Sequence, residues 1–205
     1  MTLTDRLRKL TRAPLDRCAG FVARLGIHPD WISVFALLLV AVAAWFIAGG
    51  DFVVGGIVLL LSLPLDALDG AVARAMDRQG AFGMVLDSTL DRYADGVIFA
   101  AFGYYFAESG RMDMLLAALA ALTGSYLVSY VRARADDAEV NVSVTVGWFS
   151  RLERVLVLLV MTLAAGALES VAPLEIGLLV LAIGTNITAL QRLWHVYHIL
   201  RDRGD

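Results

Sequence analysis

The chain has 205 residues, 59% of them apolar, with a formal net charge of −3 and a mean hydropathy of +0.72. That much apolar surface excludes an ordinary soluble domain and implies an all-α integral membrane protein. The negative net charge, with basic residues confined to the edges of apolar runs, argues against a nucleic-acid partner.

Residues 1–27 read as an arm, LTDRLRKLTRAPLDRCAGFVARLGI, in which Leu3, Leu7 and Leu10 recur at helical spacing opposite basic positions. The pattern predicts an amphipathic juxtamembrane helix lying along the cytoplasmic headgroups. Cys18, the single cysteine, cannot form an internal disulfide and reads as a small filler on this arm. Six transmembrane helices are expected in one domain over 28–205, at about 31–50, 52–73, 80–107, 113–131, 155–171 and 174–193. Several of them approach the roughly 20 residues that cross a bilayer. The first carries no charge between Asp30 and Asp51, and the charged arm before it distinguishes it from a cleaved signal peptide. One sizeable loop, about 135–150, joins the fourth and fifth spans.

The basic residues orient these spans. Arg6, Arg8, Lys9, Arg12, Arg17 and Arg24 lie on the arm, Arg74 and Arg78 in the second loop, Arg132, Arg134, Arg151 and Arg154 around the fourth, and Arg192, Arg201 and Arg203 at the tail. Arg111 alone falls on the other side, and Arg92 lies within a span. The positive-inside rule then places both termini in the cytoplasm, in a multi-pass protein of the cytoplasmic membrane.

Within the second and third spans the chain reads DALDGAVARAMDRQGAFGMVLDSTLD, from Asp66 to Asp91. At about 100° per residue, Asp66, Asp69, Gly70 and Ala73 share one face of the second helix, and Gly83, Asp87 and Asp91 share one face of the third. Four carboxylates at membrane depth need protons, cationic partners or metal ions. Arg74 and Arg92 are too few to neutralise them. Hard divalent cations with all-oxygen ligation, Mg²⁺, Mn²⁺ or Ca²⁺, could do so. The orientation puts these residues at the cytoplasmic headgroups, where Gly70, Ala73 and Gly83 leave room for a bulky group or for close helix packing.

The spacing Asp66-x2-Asp69-Gly70-x2-Ala73-Arg74-x8-Gly83-x3-Asp87-x3-Asp91 resembles the signature of the CDP-alcohol phosphotransferases, integral membrane enzymes of phospholipid synthesis. The resemblance implies a homodimer, two divalent ions (Mg²⁺ or Mn²⁺) held by Asp66, Asp69, Asp87 and Asp91, a CDP-linked lipid donor and an alcohol acceptor. It implies Asp91 as the base. It also implies a CDP-binding surface of Asp66, Asp69, Gly70, Ala73, Arg74 and Gly83. The chemistry is coherent, because cations would offset the pyrophosphate charge while a carboxylate takes the acceptor hydroxyl's proton as CMP leaves. In HPDWISVFALL the chain departs from the family, with His28, Ser33 and Ala36 near positions usually held by Thr, Thr and Gly.

Arginines surround the expected mouth of this site. Ser129 and Arg132 lie one turn apart, Arg151 and Arg154 open the fifth span in SRLER, and Arg192 ends the sixth. Forked donors of this kind suit a phosphorylated polyol acceptor. The run LDSTLDRYADG with SYVRARAD and R-x-E-R further resembles the branch that makes phosphatidylinositol phosphate in bacteria, or its ether-lipid counterpart in archaea. That resemblance implies Ser129, Arg132, Arg151 and Arg192, with Arg154 nearby, as holders of inositol phosphate; Gly147 and Leu152 depart from its usual glycine-rich loop and proline. Glycerol 3-phosphate, as in phosphatidylglycerol phosphate synthases, is the alternative acceptor. A membrane prenyltransferase or a cation transporter could also use buried carboxylates, but neither requires Ala73-Arg74 together with the arginine mouth.

Overall fold

The computed structural model of the protein describes residues 15–78, 80–140 and 146–204, and every regular element among them is a helix. A short helix α1 (15–24) precedes α2 (Pro29–Ala48), α3 (Phe52–Ala75), α4 (Ala81–Glu108), α5 (Met112–Asp137), α6 (Arg151–Ala167) and α7 (Ala172–Arg203). The repeat of Leu3, Leu7 and Leu10 lies outside the described residues. The part of the arm that is described buries Ala19 against Ile32, Ala71 and Val72, so α1 packs on α2 and α3.

Local chemistry sets the helix ends. His28 caps α2, its Nδ1 accepting from the Asp30 amide, and Pro29 at the first position needs no such partner. Gly50, at φ 86°, turns the chain from α2 into α3 in a left-handed conformation that a side chain would disfavour. Ser150 and Glu153 form a capping box at the start of α6. Gly204 ends α7 in the left-handed region.

Each of the six long helices packs mainly against two others, in the cyclic order α2, α3, α6, α7, α5, α4. Close approach is possible where side chains are small. Gly124 of α5 faces Thr185 and Asn186 of α7, which a Cβ there would overlap. Asn186 Nδ2 donates across that contact to the Ala120 carbonyl at 2.9 Å. Small residues and polar groups bonded across helices are how helices associate where lipid supplies no hydrophobic drive. The core inside the ring is built from residues such as Phe99, Phe102, Phe106, Leu158, Leu174 and Leu178. Large apolar side chains also face outward, Trp45 at 79% and Trp31 at 71% exposed among them.

Among the described residues four helices, α2, α3, α5 and α7, are long and apolar enough to cross a membrane. The sequence pattern predicts six such spans, and the two others differ for identifiable reasons. Helix α4 carries Asp87, Asp91, Arg92 and Asp95, and α6 has only 17 residues. Several helices outrun their apolar stretches: α5 continues to Asp137 and α7 to Arg203, where Val140, Val196, Ile199 and Leu200 pack together beyond the apolar core.

Candidate active site

Helices α2, α3, α4 and α6 enclose a cavity of about 350 Å³. Its polar end is lined by Ser33, Asp66, Asp69, Asp87, Asp91 and Arg151, and its deeper end by Leu59, Ile98 and Leu158. The four motif aspartates therefore meet at one place, because the 3.6-residue period puts each pair on one helix face and α2 bridges α3 and α4.

Asp66, Asp87 and Asp91 each turn one carboxylate oxygen to within 4.8 Å of the others. Three hard oxygen donors at that separation, in a cluster without sulfur or nitrogen, fit a divalent cation of the Mg²⁺, Mn²⁺ or Ca²⁺ kind. Asp69 stands beside this triplet and is held differently. Its Oδ2 accepts from Ser33 Oγ at 2.6 Å and its Oδ1 from the Gly70 amide at 2.5 Å.

The cationic partners come from elsewhere in the chain. Arg151 forks onto Asp66, Nη1 to Oδ2 and Nη2 to Oδ1, both at 2.8 Å, and Nη2 also lies 2.5 Å from Asp91 Oδ1. Arg92 lies 3.5 Å from Asp91 Oδ2 and 4.0 Å from Asp95. Arg154, 1% exposed, donates to Asp95 Oδ2 at 3.2 Å. Asp66, Asp69, Asp87, Asp91 and Asp95 thus carry two more formal charges than Arg92, Arg151 and Arg154 balance, a negative excess that favours bound cations.

The two glycines of the motif face open space among the described residues. A Cβ on Gly83 would meet nothing within 4 Å, and one on Gly70 would meet only Arg74 Nη1, at 3.5 Å. Ala73 is half-buried and Arg74 exposed on the same stretch of α3. A surface left open on that side of the carboxylates has room for a bulky ligand.

The four arginines and the serine at the expected mouth separate into distinct environments. Arg151 lies in the carboxylate cluster, and Arg154 is buried behind it on Asp95. Arg192, 3% exposed, donates from Nε to the Val146 carbonyl at 3.0 Å and from Nη1 to that of Val128 at 2.9 Å, tying the loop before α6 to α5. Arg132 is exposed, and Ser129 Oγ bonds back to the Ser125 carbonyl at 3.3 Å. Ser33, Asp95 and the Arg151–Asp66 fork are not evident from the motif. Only the family-like position of Ser33 in HPDWISVFALL could have pointed to the first.

The model of the CDP-alcohol phosphatidyltransferase family matches residues 26–190. The chain is 35% identical to the phosphatidylinositol phosphate synthase of Streptomyces avermitilis over 91% of this chain and 81% of that one. It is 32% identical to the archaetidylinositol phosphate synthase of Pyrococcus horikoshii over 94% and 95%. The Mycobacterium tuberculosis phosphatidylinositol phosphate synthase has been solved with CDP-DAG bound. That structure superposes with a TM-score of 0.80 at 28% identity, covering 89% of this chain and 93% of that one. The same enzyme has also been solved with manganese and citrate, again with a TM-score of 0.80 at 28% identity, covering 89% of this chain and 88% of that one. With the four motif aspartates lining one cavity and a family match over residues 26–190, the chain belongs to the CDP-alcohol phosphatidyltransferase family.

Proposed function

We propose that this protein transfers a phosphatidyl-type group from a CDP-linked lipid, CDP-diacylglycerol or its ether analogue, to inositol phosphate, releasing CMP. The observation that carries the reading is the convergence of Asp66, Asp87 and Asp91 within 4.8 Å at a cavity whose surface beside Gly70 and Gly83 is open. The likeness to phosphatidylinositol and archaetidylinositol phosphate synthases supports inositol phosphate over glycerol 3-phosphate.

In this reading Asp66, Asp69, Asp87 and Asp91 hold two divalent ions, Mg²⁺ or Mn²⁺, and Ser33 fixes the rotamer of Asp69 through its 2.6 Å hydrogen bond. Bound there, the cations would offset the donor's pyrophosphate charge and activate its β-phosphorus. Asp91 accepts the proton of the acceptor hydroxyl as the new oxygen–phosphorus bond forms and the bond to CMP breaks. Gly70, Ala73, Arg74 and Gly83 form the nucleotide surface. Arg132, Arg151 and Arg192, with Ser129, bind the acceptor's phosphate. Arg154 acts one step back, fixing Asp95 beside Asp91.

The same reading makes all six long helices transmembrane, with α4 spanning by turning its charges into the cavity and α6 by its short length in a ring of longer neighbours. Both termini and the cavity mouth face the cytoplasm, and the enzyme works as a homodimer. The test is to incubate purified protein with CDP-diacylglycerol, Mg²⁺ or Mn²⁺, and inositol phosphate, inositol or glycerol 3-phosphate, and to weigh the lipid product. Metal-dependent CMP release with phosphatidylinositol phosphate as product is expected. A product from glycerol 3-phosphate alone would move the acceptor to that alcohol, and absence of CMP release with every acceptor would refute the reaction.

A further inference from the structure

Arg151 sits where two chemistries compete. Its guanidinium takes both oxygens of Asp66 at 2.8 Å and one oxygen of Asp91 at 2.5 Å. Asp66 and Asp91 are also two of the three carboxylates that converge within 4.8 Å. A bidentate guanidinium engages the in-plane lone pairs of a carboxylate. A divalent cation draws on the same two oxygens and their charge, and at short range repels the guanidinium as well. Fork and metal ligation therefore compete at Asp66.

Two further features make Arg151 able to leave. Its Nε is buried without a hydrogen-bond partner, so the fork leaves one donor of the cation unsatisfied. It is also the first residue of α6, directly after the Ser150 cap, with its side chain 33% exposed. A long side chain at a helix start has no preceding turn to confine it.

We propose that Arg151 is an exchangeable internal cation. It neutralises Asp66 and Asp91 until divalent ions take those oxygens, and the released guanidinium then turns to the phosphate of the acceptor. The inference rests on the reaction proposed above and deepens it: loading the metal site creates the acceptor's anion anchor, so a phosphate monoester binds productively only after the metal.

The experiment uses the full chain in lipid nanodiscs, titrated with Mn²⁺ while free Mn²⁺ is read from its spin-resonance signal. Removing the competing fork in Arg151→Gln should tighten Mn²⁺ binding by about tenfold or more, even as turnover falls. Arg151→Lys, which keeps the charge and loses the fork, should lie between. In the unsubstituted protein, phenylglyoxal modification at Arg151, located by mass spectrometry, should rise several-fold when Mn²⁺ is added. This second readout decides the matter if Arg151→Gln does not fold. Equal or weaker Mn²⁺ binding by folded Arg151→Gln, or Arg151 reactivity indifferent to Mn²⁺, overturns the exchange. If the protein still binds Mn²⁺ and releases CMP, the proposed reaction survives that failure. If it does neither, the reaction and the exchange fall together.

Discussion

Arg154 and Asp95, 59 residues apart in the chain, meet as a buried ion pair at 3.2 Å, with side chains 1% and 5% exposed. Neither charge can be left alone at that depth. Removing one member of such a pair typically costs ~3–5 kcal/mol, because its partner remains buried and uncompensated. Asp95→Ala and Arg154→Ala should each lower the melting temperature of the purified protein by several degrees. The double variant Asp95→Ala with Arg154→Leu should recover part of the loss. Two singles that melt like the unchanged protein would show the pair to be dispensable.

The aspartates separate ligation from proton transfer. Asp66→Ala, Asp69→Ala and Asp87→Ala are expected to weaken Mn²⁺ binding and remove measurable turnover. Asp91→Asn keeps an oxygen ligand while losing the base. It should retain some Mn²⁺ and CDP-lipid binding with turnover reduced by about a hundredfold or more, the order expected of a lost general base. Near-normal turnover in Asp91→Asn would take the proton from another group.

Ser33, one of three residues in HPDWISVFALL that differ from the resembled pattern, reaches the carboxylate cluster. Its hydroxyl donates to Asp69 Oδ2 at 2.6 Å. A hydrogen bond to a charged group contributes ~1.5–3 kcal/mol. Ser33→Ala should therefore reduce Mn²⁺ affinity or kcat/KM for the CDP-lipid about ten- to hundredfold, and Ser33→Thr should restore it. Equal loss in both variants would point to packing of α2 on α3 as the cause.

Arg132 and Arg192 answer differently to substitution. Arg132 is exposed and has no hydrogen bond or ion pair among the described residues, so Arg132→Ala should raise the acceptor's KM about tenfold and leave the donor's KM and the melting temperature in place. Arg192 also holds the Val146 and Val128 carbonyls. Arg192→Ala should raise the acceptor's KM and lower the melting temperature together. Unaltered acceptor kinetics in both would remove the pair from acceptor binding.

Topology has its own measurement. In a Cys18→Ser background, cysteine at Gly50 or Arg111 should react with an impermeant thiol reagent from outside the cell, and cysteine at Arg78 or Asp137 only after permeabilisation. The reverse pattern would place the cavity away from cytoplasmic CDP-lipid.

What the sequence determined by itself was everything that depends on short range. Apolar runs fixed the helices, because a helix satisfies its backbone within one segment. The spacing of Asp66 with Asp69, and of Asp87 with Asp91, put each pair on one face, because the helical period is local. The partners of those carboxylates were not legible. Arg151 reaches Asp66 across 85 residues and Ser33 reaches Asp69 across 36. Arg154, equal to Arg151 in any count of basic residues, turns instead to buried Asp95. These choices follow from which helix faces meet, and that was decided by packing: Gly56 of α3 against Leu163 of α6, Gly124 of α5 against Thr185 of α7. Only the closed ring brings the start of α6 against α3 and α4. The helix pattern supplied the acids, and the tertiary structure chose their cations, because charge pairs form between surfaces that shape complementarity has already brought into contact.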